Sequence, residues 1–509
     1  MRTRKAAKNL IIGIVVQVMT FILAWISRVI ISRIMGVSYL GISGLYNDIF
    51  SVLSLSELGI GTAMLCALYK PAADGDKDHV RKILNYYRLL YILVAASIVA
   101  IGLILIPFLP YIVKGLDTVD HPYIYYLMYL IETVLTYLFS WKNSVLYVYQ
   151  EQYIYSLVNG ICQVLRYALQ CFVLLITHNF IFYMIIQVTS GFLPYIIASI
   201  VATKRHPEEL EARYGYKLPS KTERKALLSN VGAMSMHKVG GVLVNNTDSL
   251  IMSAFLGLAS LGIYSNYRLI VNTLTRFMKQ CVDAFAGGVG NLNVTEGSDK
   301  VYQIYNEIHF LCTVGYGYCT VMMMLLFKDY VLVGFGNDYL LSTITVIMIC
   351  ADFYTKGMRV PILTFRDAAG LFKYDKYKPV FEVIINLVTS IILVRNLGIT
   401  GVIAGTLISF FTTSFWVDPL VLFKEGIKSD WHGKLKEYYK RYILDILVVV
   451  AECFICIGSM RVITYTGLIG LIIKGILGTA EFIVLTLIIY GNTREFRSII
   501  DKSKKLTKK

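Results

Sequence analysis

The stretch MGVSYLGISGLY at residues 35–46 recurs in similar form as LGLASLGIYSNY at residues 256–267. Each copy lies between two long apolar runs, and the identical residues recur at a constant offset of 221 positions (257 − 36). The matching pairs are Gly36 with Gly257, Leu40 with Leu261, Gly41 with Gly262, Ile42 with Ile263 and Tyr46 with Tyr267. This spacing predicts an internal duplication in which the turn joins the first two spans of each half.

The composition is that of an integral membrane protein. Of the 509 residues, 56% are hydrophobic and 16% are charged, whereas a soluble protein averages about 25% charged residues. Apolar runs of about 20 residues, the length that crosses a bilayer, follow one another along the chain. The first run is longer than the roughly 7–15-residue core of a cleaved signal peptide. We therefore expect it to remain as a span.

The apolar runs predict an all-α protein with about 14 transmembrane helices, in groups of six, six and two. Six is an even number, so both six-helix lobes insert with the same orientation and form a parallel repeat about an axis along the membrane normal. The predicted spans are 9–34, 42–69, 86–113, 123–148, 154–177, 180–203, 226–254, 258–289, 304–327, 340–365, 379–395, 399–423, 442–463 and 466–490. The predicted domains are lobe 1–203, linker 204–225, lobe 226–423, loop 424–441, helix pair 442–490 and basic tail 491–509.

The basic residues give this topology a direction. The net charge is +16, and Lys and Arg concentrate in the even-numbered connections between spans. Cytoplasmic loops of membrane proteins collect these residues, so both termini are predicted to be cytoplasmic. The odd-numbered connections are short, the longest being 328–339, and they offer no outer domain that would carry an active site.

Three cations within the predicted spans are the main candidates for a binding site. An ionisable group at bilayer depth costs at least about 2.5–3.5 kcal/mol and is a functional candidate by default. Arg28, Lys238 and Arg268 have no acid three or four residues away in sequence. We predict that they line a water-filled cavity. A surplus of positive charge there favours an anion, because Arg presents a planar fork to phosphate and Lys a point charge.

Further polar residues within the spans are secondary candidates for the same cavity. At 100° per residue, one stripe of span eight carries Arg268, Asn272, Arg276, Lys279 and Asp283. An alternative interpretation, in which a charged group pairs with a nearby opposite charge or snorkels to the interface, is kept for Arg33, Glu57, Arg276, Asp283, Lys356 and Arg359. The secondary candidates are Asp48, Asn245, Asp248, Asn272, Arg276, Lys279, Lys356 and Arg359.

The chain lacks the short motifs of several enzyme and motor classes. It contains no GxxxxGK[ST] phosphate loop, and no HExxH, GxSxG or Cys/His metal spacing. The single CxxC, at Cys453 and Cys456, lies in an apolar run where free Cys is typical as a small hydrophobe. We therefore expect no enzymatic activity, no cofactor and no metal. Transport without a nucleotide motif is expected to depend on an ion gradient or on substrate and product concentrations.

Four segments resemble polysaccharide-export flippases of Gram-positive bacteria. They are SELGIG at 56–61, LYKP at 68–71, TFRDAAGLF at 364–372 and KYDKYKP at 373–379. Together with twelve plus two spans, the chain resembles the Wzx-like polysaccharide transporter branch of the MOP superfamily. The resemblance implies a cavity between two lobes, alternating access, a location in the bacterial cytoplasmic membrane and an undecaprenyl-pyrophosphate-linked oligosaccharide as substrate. It also implies that Arg28, Lys238 and Arg268 meet the pyrophosphate.

Other functions remain open at this stage. A MATE-like cation-coupled drug exporter shares the twelve-span core but is expected to carry acids in its cavity. A polysaccharide polymerase or ligase needs a sizeable outer loop, which this chain does not offer. A flippase for the lipid-linked peptidoglycan precursor has nearly the same chemistry, and sequence separates it poorly. The expected partners are the lipid-linked glycan, membrane lipids and other polysaccharide-assembly proteins, with no nucleic acid.

Overall fold

The computed structural model describes residues 2–57, 59–211, 215–295 and 297–507. Side chains are described within these ranges except at 2–16, 56, 230–240, 245, 283–295, 372 and 503–507. The described backbone is helical and contains no β-strand. Its α-helices are α1 (Arg2–Ile34), α2 (Val37–Leu53), α3 (Ile60–Ala73), α4 (Lys77–Leu105), α5 (Leu109–Ile112), α6 (Pro122–Val148), α7 (Tyr153–Thr177), α8 (Phe180–Arg205), α9 (Pro207–Leu210), α10 (Lys221–Phe255), α11 (Leu258–Thr295), α12 (Ser298–Gly334), α13 (Thr343–Ala368), α14 (Lys378–Thr412), α15 (Ser414–Val421), α16 (Trp431–Ser459), α17 (Gly467–Tyr490) and α18 (Arg494–Thr507).

Most predicted spans coincide with one helix. The runs 123–148 and 154–177 become α6 and α7 with almost the same ends. The expectation of one continuous helix over 42–69 is wrong. After α2 the chain forms a 3₁₀ turn, Ser54–Glu57, and Gly59 has φ 98° before α3 begins. Only glycine adopts this backbone region at little cost, so Gly59 divides the run.

The run that contains predicted spans eleven and twelve is also irregular. Gly398 has φ 58° and ψ −135° inside α14, which produces a kink between the two predicted spans. After α15 the chain forms a π-helical segment, Leu422–Ile427. Segments of this kind are rare and frequently occur at functional sites.

Helices able to cross a bilayer are numerous, and the exact count of fourteen remains a prediction. Within the described residues, eight helical segments are long and apolar enough to span a membrane. They are Gln17–Ile34, Lys77–Ile112, Tyr153–Thr177, Phe180–Arg205, Ser298–Gly334, Lys378–Ile427, Trp431–Val462 and Gly467–Tyr490.

The chain divides into two compact units, 1–265 and 266–509. In unit 1, α8 packs on α6 and α7, α1 packs on α7, and α10 packs on α2. In unit 2, α12 contacts α13, α16, α17 and α18. The division falls within α11, whereas the sequence places the second lobe from residue 226. The predicted domain boundaries therefore stay a prediction.

The two copies of the repeated turn contact each other within unit 1. Gly36 and Gly257 have nearly the same positive φ, 92° and 87°. A Cβ built on Gly41 would overlap the carbonyl oxygen of Leu258, and one built on Gly262 would overlap that of Val37. Val37 and Leu258 are themselves separated by 221 positions. The contact is therefore self-complementary, as expected around a two-fold axis, and it explains why both copies require glycine.

The tyrosine that ends each copy has the same role in both halves. The hydroxyl of Tyr46 donates to the carbonyl oxygen of Pro122 at the start of α6, at 3.0 Å. The hydroxyl of Tyr267 donates to the carbonyl oxygen of Tyr339 and accepts from the N–H of Leu341 at 3.0 Å, just before α13. Both tyrosines are fully buried. Equivalent residues thus anchor the start of the helix that each half predicts as its fourth span.

Candidate functional site

Arg28, one of the three main candidates, lies on α1 in unit 1. Its guanidinium is half-buried, and Nη2 donates a hydrogen bond to the Ser265 hydroxyl. Ser265 in turn donates to the carbonyl oxygen of Gly262 at 2.7 Å. The second repeated turn therefore holds the serine that positions the Arg28 head group.

A second guanidinium, Arg166 on α7, lies in the same region. Arg28 and Arg166 both act electrostatically on the phenol of Tyr183, which is buried on α8. The Cζ atom of Arg166 lies 4.5 Å from the centroid of the Tyr167 ring, within the range of a cation–π contact. Its Nε is buried and has no hydrogen-bond partner among the described residues. Two cations from different helices therefore face one part of α8.

An acid, Glu132 on α6, lies beside these cations. Its charge interacts with Arg166, and Oε1 accepts a long contact of 3.5 Å from Gln187. Oε2 is buried without a hydrogen-bond partner among the described residues. The carboxylate packs directly over Gly191 of α8, where a Cβ would overlap Oε1. Gly191 therefore makes the space that Glu132 occupies.

These residues define what we call the unit 1 polar cluster. Gln170 of α7 completes it by donating to Oε1 of Gln187 at 3.1 Å. The members are Arg28, Glu132, Arg166, Gln170, Tyr183 and Gln187. Among these six members, two guanidiniums and one carboxylate give a formal charge of +1. The phenol and the amides supply neutral donors and acceptors of the kind that hydrogen-bond a sugar or a phosphate ester.

Sequence reasoning identified Arg28 but did not single out Glu132 or Arg166. The signal was present, because each is a lone ionisable residue inside an apolar run, the same criterion that selected Arg28. Their association was not visible, since they lie on different helices and helical spacing relates only residues of one helix. The packing of α6 and α7 on α8 brings them together.

The stripe predicted on span eight lies on the part of α11 that belongs to unit 2. Arg268 is half-buried, and Asn272, Arg276 and Lys279 are exposed. Met278 is buried and packs where a Cβ on Gly315 of α12 would lie. The helix thus has an apolar side against α12 and an exposed side that carries Arg276 and Lys279, whereas the Asp283 side chain lies outside the described residues.

Lys356 and Arg359 are ion-paired within unit 2. Nζ of Lys356 lies 2.8 Å from Asp352. Arg359 contacts Asp418 at 2.6 Å and Glu382 at 3.3 Å. These pairs agree with the interpretation that each of these cations pairs with a nearby acid. A role of Lys356 and Arg359 in substrate binding remains a prediction.

The segments TFRDAAGLF and KYDKYKP contribute to the same ion-pair network. Arg366 pairs with the buried Asp375 at 2.8 Å, and Lys378 pairs with Asp418. Both acids are inaccessible to solvent, and both cations are almost so. These motif residues therefore join the ends of α13, α14 and α15 through buried charge pairs.

The remaining candidates lie on α2 and α10. Asp48 and Asp248 are buried on these two helices, which pack against each other. Lys238 and Asn245 are on α10, and their side chains lie outside the described residues. Their predicted roles stay predictions.

Solved structures with the same fold are transporters of lipids and drugs. A lipid II flippase MurJ in an inward closed conformation matches with a TM-score of 0.62 and 16% identity, covering 95% of this chain and 99% of that chain. An inward-facing multidrug resistance MATE family transporter of the MOP superfamily matches with a TM-score of 0.60 and 13% identity, covering 80% and 94%. A MOP superfamily transporter from Pyrococcus furiosus matches with a TM-score of 0.55 and 12% identity, covering 82% and 94%. These likenesses confirm the predicted fold class, a multi-pass all-α membrane protein.

Comparisons at the level of sequence give a family. No curated protein sequence matches the chain. The family model described as "Polysaccharide biosynthesis protein" matches residues 6–284, which is more than half of the chain and includes the whole unit 1 polar cluster. The resemblance to polysaccharide transporters is thereby confirmed.

Proposed function

The chain belongs to the polysaccharide biosynthesis protein family, and from this premise we propose that it is a flippase for undecaprenyl-pyrophosphate-linked oligosaccharides. It moves the repeat unit from the cytoplasmic to the outer leaflet by alternating access, for the synthesis of capsule, exopolysaccharide or cell-wall polysaccharide. The observation that carries the proposal is the surplus of guanidinium charge in the unit 1 polar cluster.

The chemistry of the head group fits this cluster. A pyrophosphate linker is doubly charged and cannot cross hydrocarbon, whereas the polyprenyl tail can remain in it. Arg28 and Arg166 supply charge-assisted donors for the phosphate oxygens. Glu132 offsets only one of the two cations, so an anion is favoured over a cation. A cationic drug would favour the reverse balance of charge.

In unit 2, the exposed face of α11 supports the same proposal of an anionic head group. Arg276 and Lys279 are exposed on a helix that the sequence predicts to cross the membrane, and lipid does not tolerate such a stripe. We infer that this face is hydrated and contributes cations, with Arg268, to the path of the head group.

The orientation proposed here has both termini in the cytoplasm of a bacterial cell. Loops predicted to be cytoplasmic gather at one end within each unit. In unit 1, Lys77 lies 3.2 Å from Glu208 and the Tyr149 hydroxyl donates to Glu209 at 3.1 Å. In unit 2, Lys434 lies 3.0 Å from Asp299. The positive-inside rule then assigns this basic end to the cytoplasm.

The proposal is tested by the affinity of the purified protein for a short pyrophosphate-linked lipid in detergent. Arg28→Ala, Lys238→Ala and Arg268→Ala are each expected to weaken binding about tenfold to a hundredfold, because a lost charge-assisted hydrogen bond is worth about 1.5–3 kcal/mol. Arg268→Lys is expected to restore only part of the affinity, since the ammonium lacks the planar fork.

Lys221→Ala, at the start of α10 in the polar linker, is the matched surface control and is expected to bind like the wild type. Thermal unfolding checks that each variant is folded. Three folded variants with wild-type affinity would refute the cationic site. Parallel measurements with an oligosaccharide-linked lipid and with a peptidoglycan-precursor lipid distinguish the two flippase functions.

A further inference from the structure

Three carboxyl groups follow one another along α16 and α17 in unit 2. Asp445 and Glu452 are seven residues apart on α16, so they share a face and are separated by about 10 Å along the axis. Glu481 of α17 accepts a hydrogen bond of 2.7 Å from Ser459, the last residue of α16. The three acids, which we call the α16 carboxyl line, therefore lie at three successive depths of the helix.

Glu452 is the central member and is sealed from solvent. It is 2% exposed, and Oε1 has no hydrogen-bond partner among the described residues. Burial disfavours the charged form of such a carboxyl, and Glu452 forms no ion pair among the described residues. An ionised carboxylate in such a place is strongly unfavourable, and a group of this kind takes up a proton instead.

The groups that face Glu452 come from its own helix and from two neighbouring helices. Tyr354 of α13 and Tyr490 of α17 are within electrostatic range of it. Cys453 is its neighbour in sequence, and Cys456 lies within range of both Glu452 and Glu481. Each of these is neutral or acidic, so none is a counter-ion for an ionised Glu452.

On α13 and α17, the described cations nearest to Glu452 are paired with other acids. On α12, the middle of the helix contains no cation. Lys474 of α17 pairs with Asp329 at 2.6 Å, and Lys356 of α13 pairs with Asp352. The sequence of α12 contains no Asp, Glu, Lys or Arg between Glu307 and Lys328. Glu452 thus differs from a structural ion pair.

Asp445 lies two turns from Glu452, towards the end of α16 that begins at Trp431. Its two carboxyl oxygens accept hydrogen bonds from Thr313 at 3.2 Å and from the Tyr490 hydroxyl at 3.0 Å. Arg441, one turn earlier on α16, acts on Asp445 and also pairs with Glu495 at 2.6 Å. Both oxygens of Asp445 therefore have polar partners, in contrast to Oε1 of Glu452.

The same end of α16 faces a buried histidine. His309 on α12 is 1% exposed, and neither ring nitrogen has a hydrogen-bond partner among the described residues. It lines a small cavity of about 10 Å³ with Tyr302, Glu437 and Arg441, which is room for about one water molecule. The Thr313 hydroxyl lies 3.1 Å from the backbone carbonyl oxygen of His309, and its single proton goes either to this oxygen or to Asp445.

We propose that Glu452 is a proton-binding site within unit 2. A proton taken from water converts its carboxylate to a neutral acid and returns to water when the site releases it. Use of this site to drive flipping rests on the proposed transport function. Proton binding by Glu452 does not depend on it.

Infrared difference spectroscopy of the purified full-length protein, without substrate, tests the binding site. Changing pH is expected to produce a carboxylic C=O band that Glu452→Gln removes. Glu425→Gln, in the π-helical segment away from the line, is the control and is expected to keep the band. Tyr354→Phe is expected to shift the band without removing it. A band that survives in folded Glu452→Gln overturns the proposal.

Thermal unfolding across pH provides a second measurement. A folded state that holds a proton, which the unfolded chain releases, loses stability as pH rises above the ordinary carboxyl range. Glu452→Gln is expected to flatten this dependence, and an unchanged slope contradicts the proposal. If Glu452→Gln does not fold, Tyr354→Phe becomes the deciding variant. A carboxylic band that stays at its wild-type position in folded Tyr354→Phe then contradicts the proposal.

Vesicles with a trapped pH dye then test the coupling. An imposed pH gradient is expected to drive flipping of a pyrophosphate-linked lipid by the wild type and not by Glu452→Gln. A protein that flips equally well with and without a gradient overturns the coupling and leaves the flippase function standing. A protein that binds no pyrophosphate-linked lipid refutes the flippase function and leaves the infrared result standing.

Discussion

Glu132 in unit 1 and Glu452 in unit 2 are both glutamates within apolar runs, LIETVL at 130–135 and VAECFI at 450–455. Each carboxyl has one oxygen that is buried without a hydrogen-bond partner among the described residues. Glu132 nevertheless has Arg166 and Gln187 beside it, whereas Glu452 forms no ion pair among the described residues. One acid therefore has a nearby cation, and the other does not. Neighbouring helices, and not the local sequence, decide between these roles.

The largest effect expected from this comparison is the loss of the cation beside Glu132. Arg166→Ala should destabilise the fold by up to about 3 kcal/mol, because the buried Glu132 carboxyl loses the nearby cation whose charge acts on it. The measurement is the free energy of unfolding in detergent. Arg166→Met combined with Glu132→Gln should recover most of the loss, because no charge is then left unpaired. A double variant as unstable as the single one contradicts the pairing.

Neutralising the two acids should have different consequences. Glu132→Gln should cost about 2 kcal/mol, since Arg166 loses a nearby opposite charge. Glu452→Gln should cost nothing measurable in mildly acidic solution, where the amide resembles the protonated acid. Unfolding of both variants under the same conditions is the test. Equal losses of unfolding free energy at the two positions would show that Glu132 and Glu452 have the same role.

The space beside Glu132 provides a smaller effect. Gly191→Ala places a methyl group where Oε1 lies, and the net cost should be about 1–2 kcal/mol because overpacking is partly offset by the better helix propensity of Ala. Gly458→Ala on α16 is the matched control, since nothing lies within 4 Å of that Cβ, and it should be neutral or slightly stabilising. Adding Glu132→Ala to Gly191→Ala should relieve the clash, and a persistent loss would point to another cause.

The smallest effect concerns the hydroxyl that supports Asp445. Thr313→Val keeps the shape of a side chain that is 2% exposed and removes its hydrogen bond, which should cost about 1 kcal/mol. Tyr490→Phe removes the bond to the other oxygen. Because both hydroxyls bind one carboxyl, the two losses should not add in a double-mutant cycle. Strict additivity would show that the two hydroxyls act independently.

Sequence patterns predicted the positions of most helices but missed the break at Gly59. Length and apolar content located α6 and α7 to within a residue or two, since bilayer thickness fixes the length of a span. The break at Gly59 was missed, because a glycine inside an apolar run is equally compatible with a continuous helix. Lys356 and Arg359 could not be resolved between pairing and substrate binding, because Arg359 finds its acid 59 residues away at Asp418.

The sequence by itself determined that this is a membrane protein of duplicated design. The constant offset identified the glycines and the tyrosine of the repeated turn as equivalent residues. In the fold, Tyr46 and Tyr267 each hydrogen-bond the backbone near the start of a corresponding helix. Such signals are local, because they depend on residue type and spacing along the chain. Only the tertiary structure decided which charges have partners. Arg166 lies near Glu132, and Glu452 has no cation paired with it in the described part of the chain, because of which helices pack together. The spacing of residues on a single helix contains no information about that packing.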